Sequence, residues 1–304
     1  MATGTPTNRS NINLPNSVSS EILQKTQQSS AIMQLARRIP LPGNGVQIPV
    51  ITSDPVADWV TETGSKPVSN PGLSKKIMQA HKLAVIVPFS EEFRRDAKAL
   101  YEALVNRLPD ALGKVFDATV FFGPASTLAN FDDFSTVTAQ SLSGAKGVYS
   151  GLVAADADIS EESGIVNGYV FSPQGRGMLL GALDKQDRPI FIDSIAEGQV
   201  PRILGAPTYF KEAAYKAGAA GVGTAAGTPD IVGFAGDWRH AMWGTVEGVK
   251  VSISDQATLT VTEGTGTKNL NLWQENMFAV RAEIEVGFVA ETQYFNALTR
   301  THSA

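Results

Sequence analysis

The chain has 304 residues, 43% hydrophobic and 18% charged, which supplies a sizeable core for one large or two modest domains and excludes an intrinsically disordered chain. It contains no cysteine, so disulfides, thiolate nucleophiles and cysteine-ligated metals are excluded. The net charge of −5 is unevenly spread: residues 1–125 hold 13 Lys+Arg against 10 Asp+Glu, and the remainder 12 against 20, balances of +3 and −8.

No apolar run approaches the roughly 18 residues of a spanning helix, and "MATGTPTNRSNINLP" lacks the apolar stretch of a signal peptide. The expectation is a soluble, unexported protein with no membrane partner. Residues 1–16 read as a polar arm without a core of its own. Residues 17–30 read as a short helix, with Ser19 or Ser20 as its cap and Glu21 in its first turn. Residues 31–51 alternate apolar and polar, broken by the turn chemistry of "PLPGNG", and "VQIPVI" predicts a strand.

"VADWVTETGSKPVSNPGLSKK" follows, Val56 to Lys76. From Thr61 onward its only sizeable apolar side chains are Val68 and Leu73, and two prolines and two glycines interrupt it. It reads as a long hairpin with little to bury, with Trp59 anchoring its base to its own chain. "KLAVIVPFS" then places Leu83, Val85, Val87 and Phe89 on one strand face. Ser90 is a credible cap for a long helix with Glu91 and Glu92 in its first turn and a stripe through Leu100, Leu104, Leu108, Leu112, Val115, Phe116 and Phe122. Gly123 and Pro124 end it, and Pro109 predicts a kink or a division into two coaxial helices.

Residues 125–235 are rich in Gly, Ala and Ser. "SPQGRGMLLGALD" predicts a helix turning through "KQDRPIF" into a strand, and "AAYKAGAAGVGTAAGTPD" a mobile loop. The chain closes on two period-two strands, one with Val249, Val251 and Ile253 inward, the other with Phe278, Val280, Ile284, Val286 and Phe288 opposite Arg281, Glu283 and Glu285. The long helix and these strands predict an α+β layer, with the Gly/Ala-rich middle inserted as a second domain.

The search for chemistry finds no assembled site. Gly175, Gly177 and Gly181, and Gly221, Gly223 and Gly227, lack the GxGxxG spacing and the preceding buried strand that dinucleotide binding requires. There is no phosphate loop and no nucleophile elbow. His81, His240 and His302 are far apart, and the carboxylate pairs Asp132/Asp133 and Glu161/Glu162 are sequence neighbours that point apart. No enzymatic role and no cofactor are expected. Elements that cannot satisfy themselves in one chain find partners in another copy.

In their order along the chain, these elements resemble the major capsid proteins of tailed bacteriophages, the Hong Kong 97-type fold. "SSAIMQLARRIPLPGNGVQIPVI" is similar to the family's arm and first strands. "VADWVTETGSKPVSNPGLSKK" is similar to its extended loop, with Trp59 and Glu62 at the start, and "ALGKVFDATVFFGP" to the end of its spine helix. "GIVNGYVFSPQGRGMLLGALDKQDRPIF" is similar to its axial domain, and "NLWQENMFAVRAEIEVGFVAETQYFNAL" to its closing strand. The resemblance implies an N-terminal arm (1–30) and an extended loop (54–82). It implies a peripheral domain with the spine helix (31–53, 83–125 and 236–304) and an axial domain (126–235).

It implies a subunit that assembles into the hexamers and pentamers of an icosahedral head around double-stranded DNA. Inter-subunit contacts are then expected at Trp59, Glu62, Lys66, Pro67, Pro71, Leu73, Lys75 and Lys76, and an adaptable axial loop at Gly218, Gly221, Gly223 and Gly227. The arm is too short for a fused scaffolding segment, so the implied partners are a separate scaffolding protein, a portal protein, a decoration protein and DNA in weak, non-specific contact. The implied location is the virion, with assembly in the host cytoplasm. Loop lysines are present, but none aligns with a crosslinking position of the family. Two alternatives stand beside this reading: an encapsulin-type shell of the same fold, and a soluble enzyme without a recognisable motif.

Overall fold

The computed structural model describes residues 26, 29–53, 57–61, 65–66, 68–69, 72–92, 98–123, 128–144, 147–184, 186, 188–191, 202–220, 227–263 and 266–302. The expected helix over 17–30 lies largely outside them, although Thr26 and Ser29 are helical. Ser30 opens the first described element. Its hydroxyl accepts from the Met33 N–H at 3.1 Å and caps the short helix α1 (Ala31–Leu35), where alternation alone predicts extended chain. β1 (Arg37–Pro40), β2 (Val46–Ser53), β3 (Gly72–Met78) and β4 (His81–Ser90) follow.

Helix α2 (Lys98–Phe122) has 25 residues, roughly 37 Å at the α-helical rise. It passes through Pro109 as one helix and not as two. Gly123, at φ +79°, stops it by donating its N–H to the Thr119 carbonyl. The remaining elements are β5 (Thr138–Ser141), α3 (Gly147–Glu161), β6 (Gly168–Phe171), α4 (Pro173–Leu180), β7 (Arg202–Ile203), β8 (Ala206–Phe210), β9 (Asp230–Gly236), β10 (Ala241–Thr245), β11 (Lys250–Ser254), β12 (Thr258–Glu263), β13 (Gly266–Asn271), β14 (Met277–Ala290) and β15 (Phe295–Arg300).

The first sheet is built on β14. Antiparallel β4 pairs with it from Met277↔Ser90 to Val286↔His81, and β10 and β11 also pair with it; parallel β1 lies beyond β10. Phe278, Val280, Ile284, Val286 and Phe288 are buried, while Arg281 is exposed, as period two requires. They share a core with Leu108, Leu112, Phe116 and Val120 of α2, and the Phe116 and Phe288 rings meet edge-on at 6.4 Å. Val115 departs from the expected stripe and is half exposed. The buried arc of α2 is turned instead toward Gly113 and Asp117, which the N-terminal segment covers.

The second sheet runs β5-β15-β9-β6-β8-β7. Five of its strands come from the Gly/Ala-rich middle. The sixth, β15, comes from the stretch assigned to the peripheral domain, and is inserted between β5 and β9. Aromatic rings join the two sheets. Phe134 stacks on Phe295 at 4.4 Å and meets Phe288 edge-on at 5.8 Å, while Phe121 of α2 stacks on Phe234 of β9 at 4.6 Å. Two further pairs stand apart, β2-β3 and β12-β13.

Among the described residues of "KQDRPIF" there is a turn and no strand. Asp184 accepts from the Gln186 and Arg188 amides and from the Arg188 guanidinium, closing a turn with a single Leu183–Pro189 bridge. α3 ends with Gly164 N–H on the Ile159 carbonyl and Ser163 N–H on the Ser160 carbonyl, which places Ser163 at φ +63°. Ser163→Gly is expected to stabilise the subunit by about 1 kcal/mol by relieving that left-handed backbone. Chemical denaturation measures this, and an unchanged or lower midpoint would contradict it.

Candidate assembly surfaces

The hairpin β2-β3 pairs from Val46↔Met78 to Ser53↔Gly72. Leu73, Lys75 and Lys76 are therefore strand residues, and the hairpin proper spans 46–78 where the extended loop was drawn as 54–82. Its base is held in two ways. Met78 is fully buried with Leu41, Ile48 and Val289. Lys76 Nζ donates to Asp132 Oδ2 at 2.7 Å and to the Ala290 carbonyl at 2.5 Å, while Asp132 Oδ2 also accepts from the Ala290 N–H at 3.0 Å.

Lys76 thus closes a contact within its own chain, and so does Asp132. Lys76→Met is expected to cost only about 1 kcal/mol, because the ion pair is about one-third exposed. It should also speed amide exchange in Gly72–Met78 relative to β4. Equal exchange would contradict the latch.

Beyond the base, the expectation for Trp59 is overturned. Its side chain is 101% exposed and anchors nothing in its own chain. Only its N–H is engaged, by the neighbouring Asp58 carboxylate at 2.8 Å. Val68 is 88% exposed, and Val60, Lys66 and Lys75 are exposed as well. Isolated exposed apolar residues are ordinary, but a fully exposed Trp accompanied by two exposed valines within ten residues is not. Glu62, Pro67 and Pro71 lie outside the described residues, and Leu73 is described in its backbone only.

The second surface is the end of the arm. Thr26 and Ser30 are fully buried, so the arm joins the body before residue 30. Asp117 of α2, 1% exposed, receives it: Oδ1 accepts from the Ser30 hydroxyl at 2.5 Å and the Ile32 N–H at 3.3 Å, and Oδ2 from the Ala31 N–H at 2.8 Å. One carboxylate thus satisfies amides at the start of a helix far away in sequence. Burial pushes the Asp117 carboxyl up to about 6 against the lowering effect of those donors. A β-carbon on Gly113 would lie 2.3 Å from the Ser29 hydroxyl and 3.3 Å from the Thr26 carbonyl, so the arm packs closely against the helix here.

The third surface is the Gly/Ala-rich loop. Its base is paired, Lys216 with Ile231 and Ala219 with Thr228, rather than loose. Gly218 is packed hard: a β-carbon there would lie 2.0 Å from the Thr228 carbonyl, and its N–H donates to Asp230. Asp230 also accepts from His302 Nδ1 at 2.6 Å and Arg300 Nε at 2.8 Å, which hold its carboxyl well below the usual range, His302 first. The end of the chain is thereby tied to the loop base. Sequence reading missed this hub; Asp230 directly following the Gly/Ala-rich run was its signal. Gly227 is exposed, and Gly221 and Gly223 lie outside the described residues.

Among the described residues, no group of three His, Asp or Glu side chains is placed to hold a metal ion. His240 stacks on Tyr294 at 3.8 Å and lies 3.2 Å from the Glu291 carboxylate. What the geometry offers is surface for other chains.

The family model described as "Phage capsid family" matches residues 11–298. The chain belongs to the phage capsid family. Within it, this capsid chain is 30% identical over 281 residues to "Probable major capsid protein gp17" of Mycobacterium phage L5, covering 87% of this chain and 82% of that protein. It is 22% identical over 294 residues to "Major capsid protein" of Staphylococcus phage 80alpha, covering 94% and 84%. In fold it is similar to a solved chain of Microbacterium phage Oxtober96, with a TM-score of 0.70, 23% identity and 89% and 91% coverage. A solved chain of Gordonia phage Cozz gives 0.70, 20% identity and 90% and 87% coverage. The protein is a structural component of a virion, and a capsid protein acts by binding copies of itself.

Proposed function

We propose that this chain is the major capsid protein of a tailed phage, assembling as hexamers and pentamers into an icosahedral shell that encloses double-stranded DNA. The observation that carries the assembly reading is Trp59, wholly exposed on a hairpin whose base is clamped to the body. In the shell, the segment beyond β2 and β3 lies over the neighbouring copy and Trp59 is buried there. The unit built on the second sheet, residues 126–236 with β15, sits at the capsomer axis, and the loop at 217–228 adapts to five-fold or six-fold surroundings. Assembly takes place in the host cytoplasm with a separate scaffolding protein, and a portal and a decoration protein complete the particle.

The arm and α2 face the interior. The +3 balance of residues 1–125 suits weak contact with packaged DNA without fixing it in place. Free subunits are therefore expected to bind duplex DNA with a Kd weaker than about 1 μM at physiological salt, since few phosphates are neutralised. Sub-micromolar binding in a titration would contradict this arrangement. The proposal itself is tested by sedimentation and negative-stain imaging of purified protein. Capsomers or closed particles are expected, and a stable monomer under every assembly condition, with a scaffolding protein included, would overturn it.

A further inference from the structure

α3 carries two features that are left uncompensated among the described residues. Its buried arc is Gly151, Leu152, Ala155 and Ile159. On the opposite side, at spacings of four, stand Tyr149, Val153 and Ala157, all exposed, with Tyr149 at 49% and Val153 at 40%. Ile165, just past the helix, is 66% exposed. Beyond this stripe, Glu161 and Glu162 are both exposed at the helix C-terminus, where the dipole disfavours negative charge. No Lys or Arg occurs from residue 147 to 175, and neither glutamate pairs with a cation among the described residues.

We infer that this face of α3 is a contact between copies, its apolar stripe covered and its acidic end neutralised by the basic side of a second copy. The inference rests on the shell reading. Charge selects the occupant. The first 125 residues hold the chain's positive balance, and among them Arg37, Lys66 and Lys75 are exposed without an acidic partner among the described residues. An acidic helix end repels DNA, so the packaged polymer cannot cover this face. An apolar stripe ending in like charge fits a partner that is apolar and basic in the same order, and a second copy is present at the highest concentration in any assembly.

The cysteine-free sequence makes the test direct. Ala157→Cys gives a single thiol at an exposed position. Its reaction with a maleimide is expected to be fast in free subunits and slowed by at least about tenfold in shells assembled from this chain alone, as burial in an interface excludes the reagent. Equal rates in both states, or protection that appears only when an accessory protein is added, would overturn the inference. In parallel, Glu161→Lys with Glu162→Lys is expected to lower shell yield while the thermal midpoint of the free subunit stays the same or rises, since lysine suits a helix C-terminus. Unchanged yield would overturn it. Wild-type chain that forms no particles fails the shell reading itself, and is recognised before any variant is made.

Discussion

Deleting residues 63–71 is expected to leave a folded subunit that no longer closes shells. The deletion spares β3, which begins at Gly72, and so spares the ladder to β2, the Lys76–Asp132 contact and the buried Met78. None of the buried core residues lies in the removed stretch, and Val68 within it and Trp59 before it are both solvent-exposed. The thermal midpoint of the free subunit should therefore stay within a degree or two, as surface changes away from the core generally do. Assembly should fail, because each copy loses a projecting contact and a shell repeats that loss at every subunit. Trp59→Ala, a milder version, is expected to weaken each contact by about 2 kcal/mol, the scale of a tryptophan hot spot. Normal particles from the deletion would contradict the role given to the hairpin, and a misfolded deletion would show that the hairpin serves its own chain.

Asp117→Ala is expected to be the most damaging single substitution outside the hairpin. It leaves the Ala31 and Ile32 amides and the Ser30 hydroxyl without their acceptor in a site closed to water. A loss of about 3 kcal/mol follows, from unsatisfied buried donors together with the weakened start of α1. The arm should be cleaved faster by protease near residue 30, with the rest of the fold intact. Asp117 also sets a pH dependence. Its folded carboxyl titrates at about 6, above the ordinary 3.8 of the unfolded chain, so the folded state holds the proton more tightly. The associated stability is fully present below about pH 3.8 and is lost as the pH rises through about 6. Asp117→Asn should lack that slope. A wild-type denaturation midpoint that is flat between pH 4.5 and pH 7, or equal slopes in both chains, would contradict the assignment.

What could be read from the sequence is what depends on near neighbours. The alternation in β4 and β14 and the glycine stop of α2 follow from spacing alone, and the order of these elements carries the family resemblance. What could not be read depends on residues far apart. α1 is helical because Ser30 caps it and Asp117, 86 positions from Ala31, receives its first amide. β15 joins the second sheet because it pairs with β5 and β9, a choice that its own pattern does not encode. Val115 is exposed because the arm, not the sheet, covers the adjoining side of α2. For Trp59 only the anchoring role fails, because a wholly exposed ring holds nothing in its own chain; exposure of this kind cannot be read from a local pattern.

The most direct test of the account is a cryo-electron-microscopy reconstruction of particles assembled from the purified chain. The account predicts a closed icosahedral shell in which Trp59 of each copy is buried against a neighbouring copy, with Lys76 still bound to its own Asp132. A shell in which the hairpin projects freely into solvent, or folds back so that Trp59 packs on its own chain, would contradict it.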